Sequence, residues 1–224
     1  MCPLDPSPIF NSMIFATSSL RLSSLSLPVT DMEIIGALKC LKPRKAPGPD
    51  GLHAIFFRKY WDIVGSSIKG FVRNIFEGGS LPKGANYTLI SLIPKCPCPE
   101  IISQFQPISL CNTSYKIITK ILVRRLRPFL DDFISPIQSR FIPGCRVADN
   151  VVLLKEAHTS HKNKRGGKGI MILKLDLEKA FDRLERSFIH NIFKLFQLLD
   201  NFIRVTMLCI FSTRTRVLFQ WRPT

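Results

Sequence analysis

Gly169-Ile170-Met171-Ile172-Leu173-Lys174-Leu175-Asp176-Leu177-Glu178-Lys179-Ala180-Phe181-Asp182 reads as a buried strand that ends in a carboxylate. Side chains alternate across a strand, so Met171, Leu173 and Leu175 share one face while Ile172, Lys174 and Asp176 share the other. The first face is suited to packing under helices, and the second presents an acid. A carboxylate at a strand end is a hard oxygen ligand of the kind Mg²⁺ takes, alongside substrate phosphates and water. The competing reading is a helix N-cap, with the Asp176 carboxylate accepting from an amide of the following turn.

The rest of the chain narrows the chemistry. With 224 residues, 46% of them hydrophobic, it is long and apolar enough for a sizeable core. Its 32 Lys and Arg against 16 Asp and Glu give a formal charge of +16. That balance favours a polyanionic partner such as nucleic acid. Seven cysteines without paired spacing, and a Cys96-Pro97-Cys98 pair too tight for an ordinary zinc half-site, indicate a reducing compartment. The expected location is therefore intracellular, in the nucleus or cytoplasm, and not secreted. No apolar run reaches the roughly 18 residues of a membrane span, and the N-terminus lacks the basic opening of a secretory signal.

Residues 1–29 are rich in Ser and Pro without a steady period and are expected to be a poorly ordered lead-in to a domain at 30–224. Thr30-Asp31-Met32-Glu33 is a capping box, which starts a helix to about Leu41. Lys42-Pro43-Arg44-Lys45-Ala46-Pro47-Gly48-Pro49-Asp50-Gly51 admits neither helix nor strand and keeps its cations exposed, as a linker or as a binding loop. Apolar positions over 55–76 recur at helical spacing, with Gly65 and Gly70 as candidate breaks. Residues 87–94 predict a strand and 105–110 a second. Over 114–130 a helix carries Ile117, Ile118, Ile121, Leu122, Leu126, Phe129 and Leu130 on one face, while Lys116, Lys120, Arg124 and Arg127 line another, either solvated or following phosphates. A helix over 148–161, a basic glycine-rich connector at 162–168, a core helix over 189–199, an apolar segment over 202–211, and a strand starting near Thr215 complete the chain.

Four of these segments together resemble LINE-type, non-LTR retrotransposon reverse transcriptases of the plant kind. They are Lys45-Ala46-Pro47-Gly48-Pro49-Asp50-Gly51, Ile93-Pro94-Lys95, Gln138-Ser139-Arg140-Phe141-Ile142-Pro143-Gly144 with Asp149-Asn150, and Asp176 with Phe181 five residues on. The first argues for a retroelement over the related maturases. The resemblance implies an α+β fold, helix-rich with a small antiparallel sheet, comprising the fingers and an incomplete palm of a right-hand polymerase. It further implies that Asp176 and the Leu177 carbonyl are Mg²⁺ ligands, and that Lys95 and the residue at Gln106 cradle the incoming dNTP. Phe181 would screen the sugar 2′ position, and the basic residues Lys42, Arg44, Lys45, Lys116, Lys120, Arg124 and Arg127 would meet an RNA template, a DNA primer or their duplex.

Two positions depart from the pattern. Gln106 and Cys145 each stand where the family carries Arg, and Gln106 offers amide donors without charge. Asp131-Asp132 is not the second catalytic motif, because the pair precedes Asp176 and reads as a helix end. Two metal ions roughly 4 Å apart need more than one carboxylate, and no acidic residue follows Asp200. The expectation is therefore a truncated domain without RNA-directed DNA polymerase activity. It could persist as a catalytically dead nucleic-acid-binding remnant, or as an unstable product with no retained function.

Overall fold

A computed structural model describes residues 22–133, 151, 152, 154–156, 159 and 183–218. It divides into two compact units, Ser18–Leu126 with Phe193–Thr224, and Met1–Thr17 with Arg127–Ile192.

In the first unit, helix α1 (Asp31–Cys40) opens on the capping box read from the sequence. The Thr30 hydroxyl accepts from the Glu33 amide at 3.2 Å, and the Glu33 carboxylate accepts from the Thr30 amide at 3.0 Å. At the other end, one Nη of Arg58 donates to the carbonyls of Leu38, Lys39 and Leu41 at 3.2, 2.7 and 2.5 Å. Those are orphan acceptors of the last turn, and a guanidinium both satisfies them and complements the helix dipole. The next helical stretch breaks at Tyr60, giving α2 (Ala54–Lys59) and α3 (Trp61–Phe76). Gly65 and Gly70 lie inside α3 and interrupt nothing.

Strands β1 (Tyr87–Pro94) and β2 (Phe105–Cys111) form an antiparallel hairpin in register from Thr88 opposite Cys111 to Pro94 opposite Phe105. Strand β3 (Arg214–Leu218) lies on the other side of β1 and runs parallel to it, Tyr87 opposite Arg214. The sheet is thus mixed, where the sequence suggests an antiparallel one. A hairpin turn forces the first pairing, whereas β3 returns only after several helices, a connection long enough for parallel pairing.

Helix α4 (Thr113–Leu126) is the centre of the core. Ile117, Ile118 and Ile121 are at most 1% exposed, and the helix packs against α1, α3 and α7 (Asp200–Phe211). From α7, Phe202, Ile203, Val205 and Met207 are buried. Each such side chain contributes about 1.5–3 kcal/mol by leaving water. Residues 22–29, assigned from sequence to the lead-in, also belong to this core. A 3₁₀ turn (Ser23–Ser26) buries Leu25 at 1%, with Leu22 at 4% and Val29 at 6%. Helix α4 ends at Leu126, short of the predicted 130. Pro128 has no amide to donate and disfavours helical geometry at Arg127, so Arg127–Phe129 is a 3₁₀ turn.

In the second unit, Leu130–Phe133 forms a short helix, α5, so Asp131 and Asp132 sit on helical backbone and not on a hairpin. The described residues within 148–161 are helical. Helix α6 (Arg186–Leu195) spans the boundary between the two units. The strand over 169–175, Asp176, Leu177 and Phe181 lie outside the described residues, as do segment 138–150 and the connector at 162–168. Among the described residues, no helix is long and apolar enough to cross a membrane.

Candidate nucleic-acid interface

The cationic stretch 42–51 is a built loop. The Pro43 carbonyl accepts from the Ile55 amide at 3.1 Å, and the Lys45 carbonyl lies 2.8 Å from Nδ1 of His53. Asp50 caps its own turn, its carboxylate accepting from the Leu52 amide at 3.0 Å. The decisive contact is with Asn112, at the junction of β2 and α4. Its Oδ1 accepts from the Asp50 amide at 3.3 Å, and its Nδ2 donates to the carbonyls of Gly84 and Ala85 at 3.2 and 3.3 Å. Gly48 is buried so closely against this side chain that an added Cβ would collide with Asn112 and the Cys111 backbone. Lys42, Arg44 and Lys45 remain exposed on the outside. The loop therefore presents three cations on a fixed backbone, which costs less entropy on binding an anion than a mobile linker would.

Of the basic residues assigned to α4, Lys116 joins this loop, its Nζ donating to the Ala46 carbonyl at 3.3 Å. Lys120 is half-buried one turn on. Arg124 lies over α1, its guanidinium occupying the space that a side chain at position 36 would need. Arg127 is exposed in the 3₁₀ turn beyond the helix.

Lys95 and Gln106 come together at the far end of the hairpin. Gln106 pairs with Ile93, and the Lys95 amide extends the ladder to the Gln104 carbonyl at 2.8 Å. Alternation therefore puts Ile93, Lys95 and Gln106 on one face, Lys95 and Gln106 as diagonal neighbours. Both are exposed. The Lys95 ammonium donates to the Ser103 carbonyl at 3.2 Å. That neutral acceptor is weaker than a phosphate oxygen, so an anion on this face can displace it.

Several residues that organise the unit carry no local sequence signal. Arg125, with its side chain only 7% exposed, makes a two-pronged contact with Glu33, Nε and Nη2 to the carboxylate at 2.8 and 2.9 Å. It also donates to the carbonyls of Leu25, Leu27 and Pro28. Burial pushes the Glu33 carboxyl up, but the hydrogen bonds from Arg125 and Thr30 outweigh it and hold the group below the ordinary value of 4.5. Asn86 ties α7 to the turn before β1, its Nδ2 donating to the Cys209 carbonyl at 2.8 Å and to the Ser212 and Thr213 hydroxyls at 2.9 and 3.0 Å. Beside it, burial raises the Tyr115 phenol above its usual range, helped by the thiols of Cys209 and Cys111. Burial likewise lifts the Cys209 thiol to about 11, partly offset by its hydrogen bond with Tyr115. Both groups stay protonated at neutral pH, so this cluster is structural and not nucleophilic. The described residues thus present exposed cations and amide donors, and they hold no group of three or more His, Cys, Asp or Glu suited to a metal.

The reverse transcriptase (RNA-dependent DNA polymerase) family matches residues 93–224, more than half of the chain. The chain belongs to this family. It is 32% identical over 207 residues to the transposon TX1 uncharacterized 149 kDa protein of Xenopus laevis, covering 92% of this chain and 16% of that protein. It is 29% identical to the retrovirus-related Pol polyprotein from type-1 retrotransposable element R2 of Nasonia vitripennis, over 74% of this chain and 15% of that protein. To the polyprotein from type-2 element R2DM of Drosophila melanogaster it is 30% identical, over 65% and 13%. The chain thus spans about a sixth or less of the length of these curated relatives. The LINE-type, non-LTR character read from the motifs agrees with the retrotransposon origin of these relatives. The span matched by the reverse transcriptase family includes Lys95, Gln106, helix α4 and Asp176. The described part of this reverse transcriptase segment is helix-rich with a small three-stranded sheet, as expected of fingers and partial palm.

Proposed function

We propose that this reverse transcriptase segment binds an RNA template with its DNA primer along the 42–51 loop and helix α4, and takes the triphosphate of an incoming dNTP on the hairpin face that carries Lys95 and Gln106. The observation that carries the reading is the β1–β2 register, which sets Lys95 and Gln106 side by side at an exposed strand end. Lys95 supplies charge to the phosphates and Gln106 supplies amide donors. A carboxylate at Asp176 and the carbonyl of Leu177 are hard oxygen donors that fit Mg²⁺, and Phe181 would bear on the sugar. Held by Asp176 and the Leu177 carbonyl, Mg²⁺ would supply a lowered pKa for the attacking hydroxyl and charge neutralisation at the leaving group. One carboxylate cannot hold the two ions that this chemistry uses, so the isolated 224-residue polypeptide binds its substrates without joining nucleotides.

Two measurements test this. In primer extension on an RNA template with Mg²⁺, the polypeptide gives no product, and extension that disappears in Asp176→Asn would overturn the inactivity. In titration with a fluorescent dNTP, Lys95→Ala weakens binding about tenfold. Gln106→Arg tightens it about fivefold, because a charge-assisted hydrogen bond is roughly twice as strong as a neutral one. Equal affinity across the three proteins would remove the hairpin face from the site.

A further inference from the structure

A second concave surface lies at the opposite end of β1, where the turn leading into the strand meets the α7–β3 connection. It is an open cleft of about 480 Å³, a volume in the range that holds a small ligand. Lys83 and Arg214 stand at it, both exposed. Neither pairs with a carboxylate among the described residues, and none of the residues lining the cleft is acidic. Two aromatic residues, Tyr87 and Phe211, also line it, Phe211 being 57% exposed. Ser212 and Thr213 line it as well, and their hydroxyls accept from Nδ2 of Asn86, itself 4% exposed. The Arg216 guanidinium lies 5.8 Å from the centre of the Tyr87 ring, and Arg214 and Arg216 fall on one face of the sheet, opposite Tyr87 and Leu89.

Aromatic rings and unpaired cations around a preformed, acid-free cleft match a group with a flat π-face and a negative charge. Single-stranded nucleic acid is gripped in this way, by bases stacking on aromatic side chains and phosphates lying in a positive groove. We propose that this cleft holds one unpaired nucleotide of a nucleic-acid strand, its base against Phe211 and Tyr87 and its phosphate between Lys83 and Arg214. Eight residues of extended chain separate Tyr87 from Lys95, about 26 Å, so the cleft is distinct from the triphosphate face. The proposal rests on the reading above only in taking nucleic acid as the partner.

The test is fluorescence anisotropy of a labelled twelve-nucleotide oligouridylate with the full 224-residue chain across a salt series. Phe211→Ala weakens binding about five- to tenfold without changing the salt slope. The double variant Lys83→Ala/Arg214→Ala lowers the log–log salt slope by about 0.7, the contribution of the one single-strand phosphate no longer neutralised. An abasic oligonucleotide erases the effect of Phe211→Ala and keeps that of the double variant. The two lysine and arginine side chains are exposed, so the double variant serves even if Phe211→Ala melts early. The proposal is overturned if both variants bind within twofold of wild type while a Lys45→Ala control still weakens binding, an outcome that leaves the reverse transcriptase reading intact. It is also overturned if uridine monophosphate competes as tightly as the oligomer, which assigns the cleft to free nucleotides. Wild-type chain that binds no RNA at all removes both readings together.

Discussion

Among the described residues, Arg125 is a cation on which distant segments converge. One guanidinium ties the α1 capping box to the backbone of residues 25–28, joining segments about one hundred positions apart. Removing it leaves a partly buried carboxylate and three carbonyls without their donor, so Arg125→Ala is expected to cost about 3 kcal/mol. Urea unfolding measures that loss, and hydrogen exchange should show residues 22–29 opening first. The same contact sets an acid limit. The Glu33 carboxyl is held below 4.5 in the folded chain, and Asp31, hydrogen-bonded by Lys69 and flanked by Arg73, shifts the same way. Groups depressed on folding contribute stability that is complete above their unfolded pKa and fades as pH falls through the folded one. The thermal midpoint should thus fall below about pH 4.5, and Glu33→Gln should flatten that fall while lowering stability at neutral pH. A midpoint indifferent to Glu33→Gln between pH 3 and 5 would refute the assignment.

At the scale of elements, periodic and capped segments were legible and long-range ties were not. The α1 capping box, the helical face at Ile117, Ile118, Ile121 and Leu122, and the strand over 87–94 all follow from spacing within a few residues. The parallel pairing of β3 does not, because nothing between 112 and 213 specifies which edge the chain will return to. Nor does the burial of Leu22 and Leu25, which depends on Arg125 far along the chain. For the site, the cations of the 42–51 loop and the stiffness that its prolines impose were legible from composition, but the tertiary contact that adds further rigidity was not. That rigidity comes from Asn112, whose partners are Asp50 and the Gly84–Ala85 carbonyls. Gly48 makes the point testable. An added methyl would have to displace the Asn112 and Cys111 backbone, an overpacking cost of about 1–3 kcal/mol. Gly48→Ala should therefore lower the urea midpoint and also weaken RNA binding, although no charge has changed. RNA affinity unaltered in a destabilised Gly48→Ala would mean that the loop's shape is irrelevant to binding.

Across the whole molecule, an excess of 16 positive charges makes some attraction to any polyanion inevitable, so affinity alone says little about a site. Distribution is what discriminates. If binding were a diffuse charge effect, removing any three exposed cations should change it equally. If the fixed loop is the contact, Lys42→Ala/Arg44→Ala/Lys45→Ala should lower the slope of log affinity against log salt by about 2–3, near 0.7–0.9 for each phosphate that the variant no longer neutralises. Replacing Lys39, Lys59 and Arg73 removes the same net charge elsewhere. Arg73 already neutralises Asp31, and Lys59 lies 5.7 Å from the centre of the Tyr60 ring, so these two cations have other partners. That second triple variant should shift the slope by less than about 1. Measured on an RNA–DNA hybrid and on single-stranded RNA, equal slopes for the two triple variants would reduce the interface to net charge. A difference confined to the loop variant fixes the template path along it.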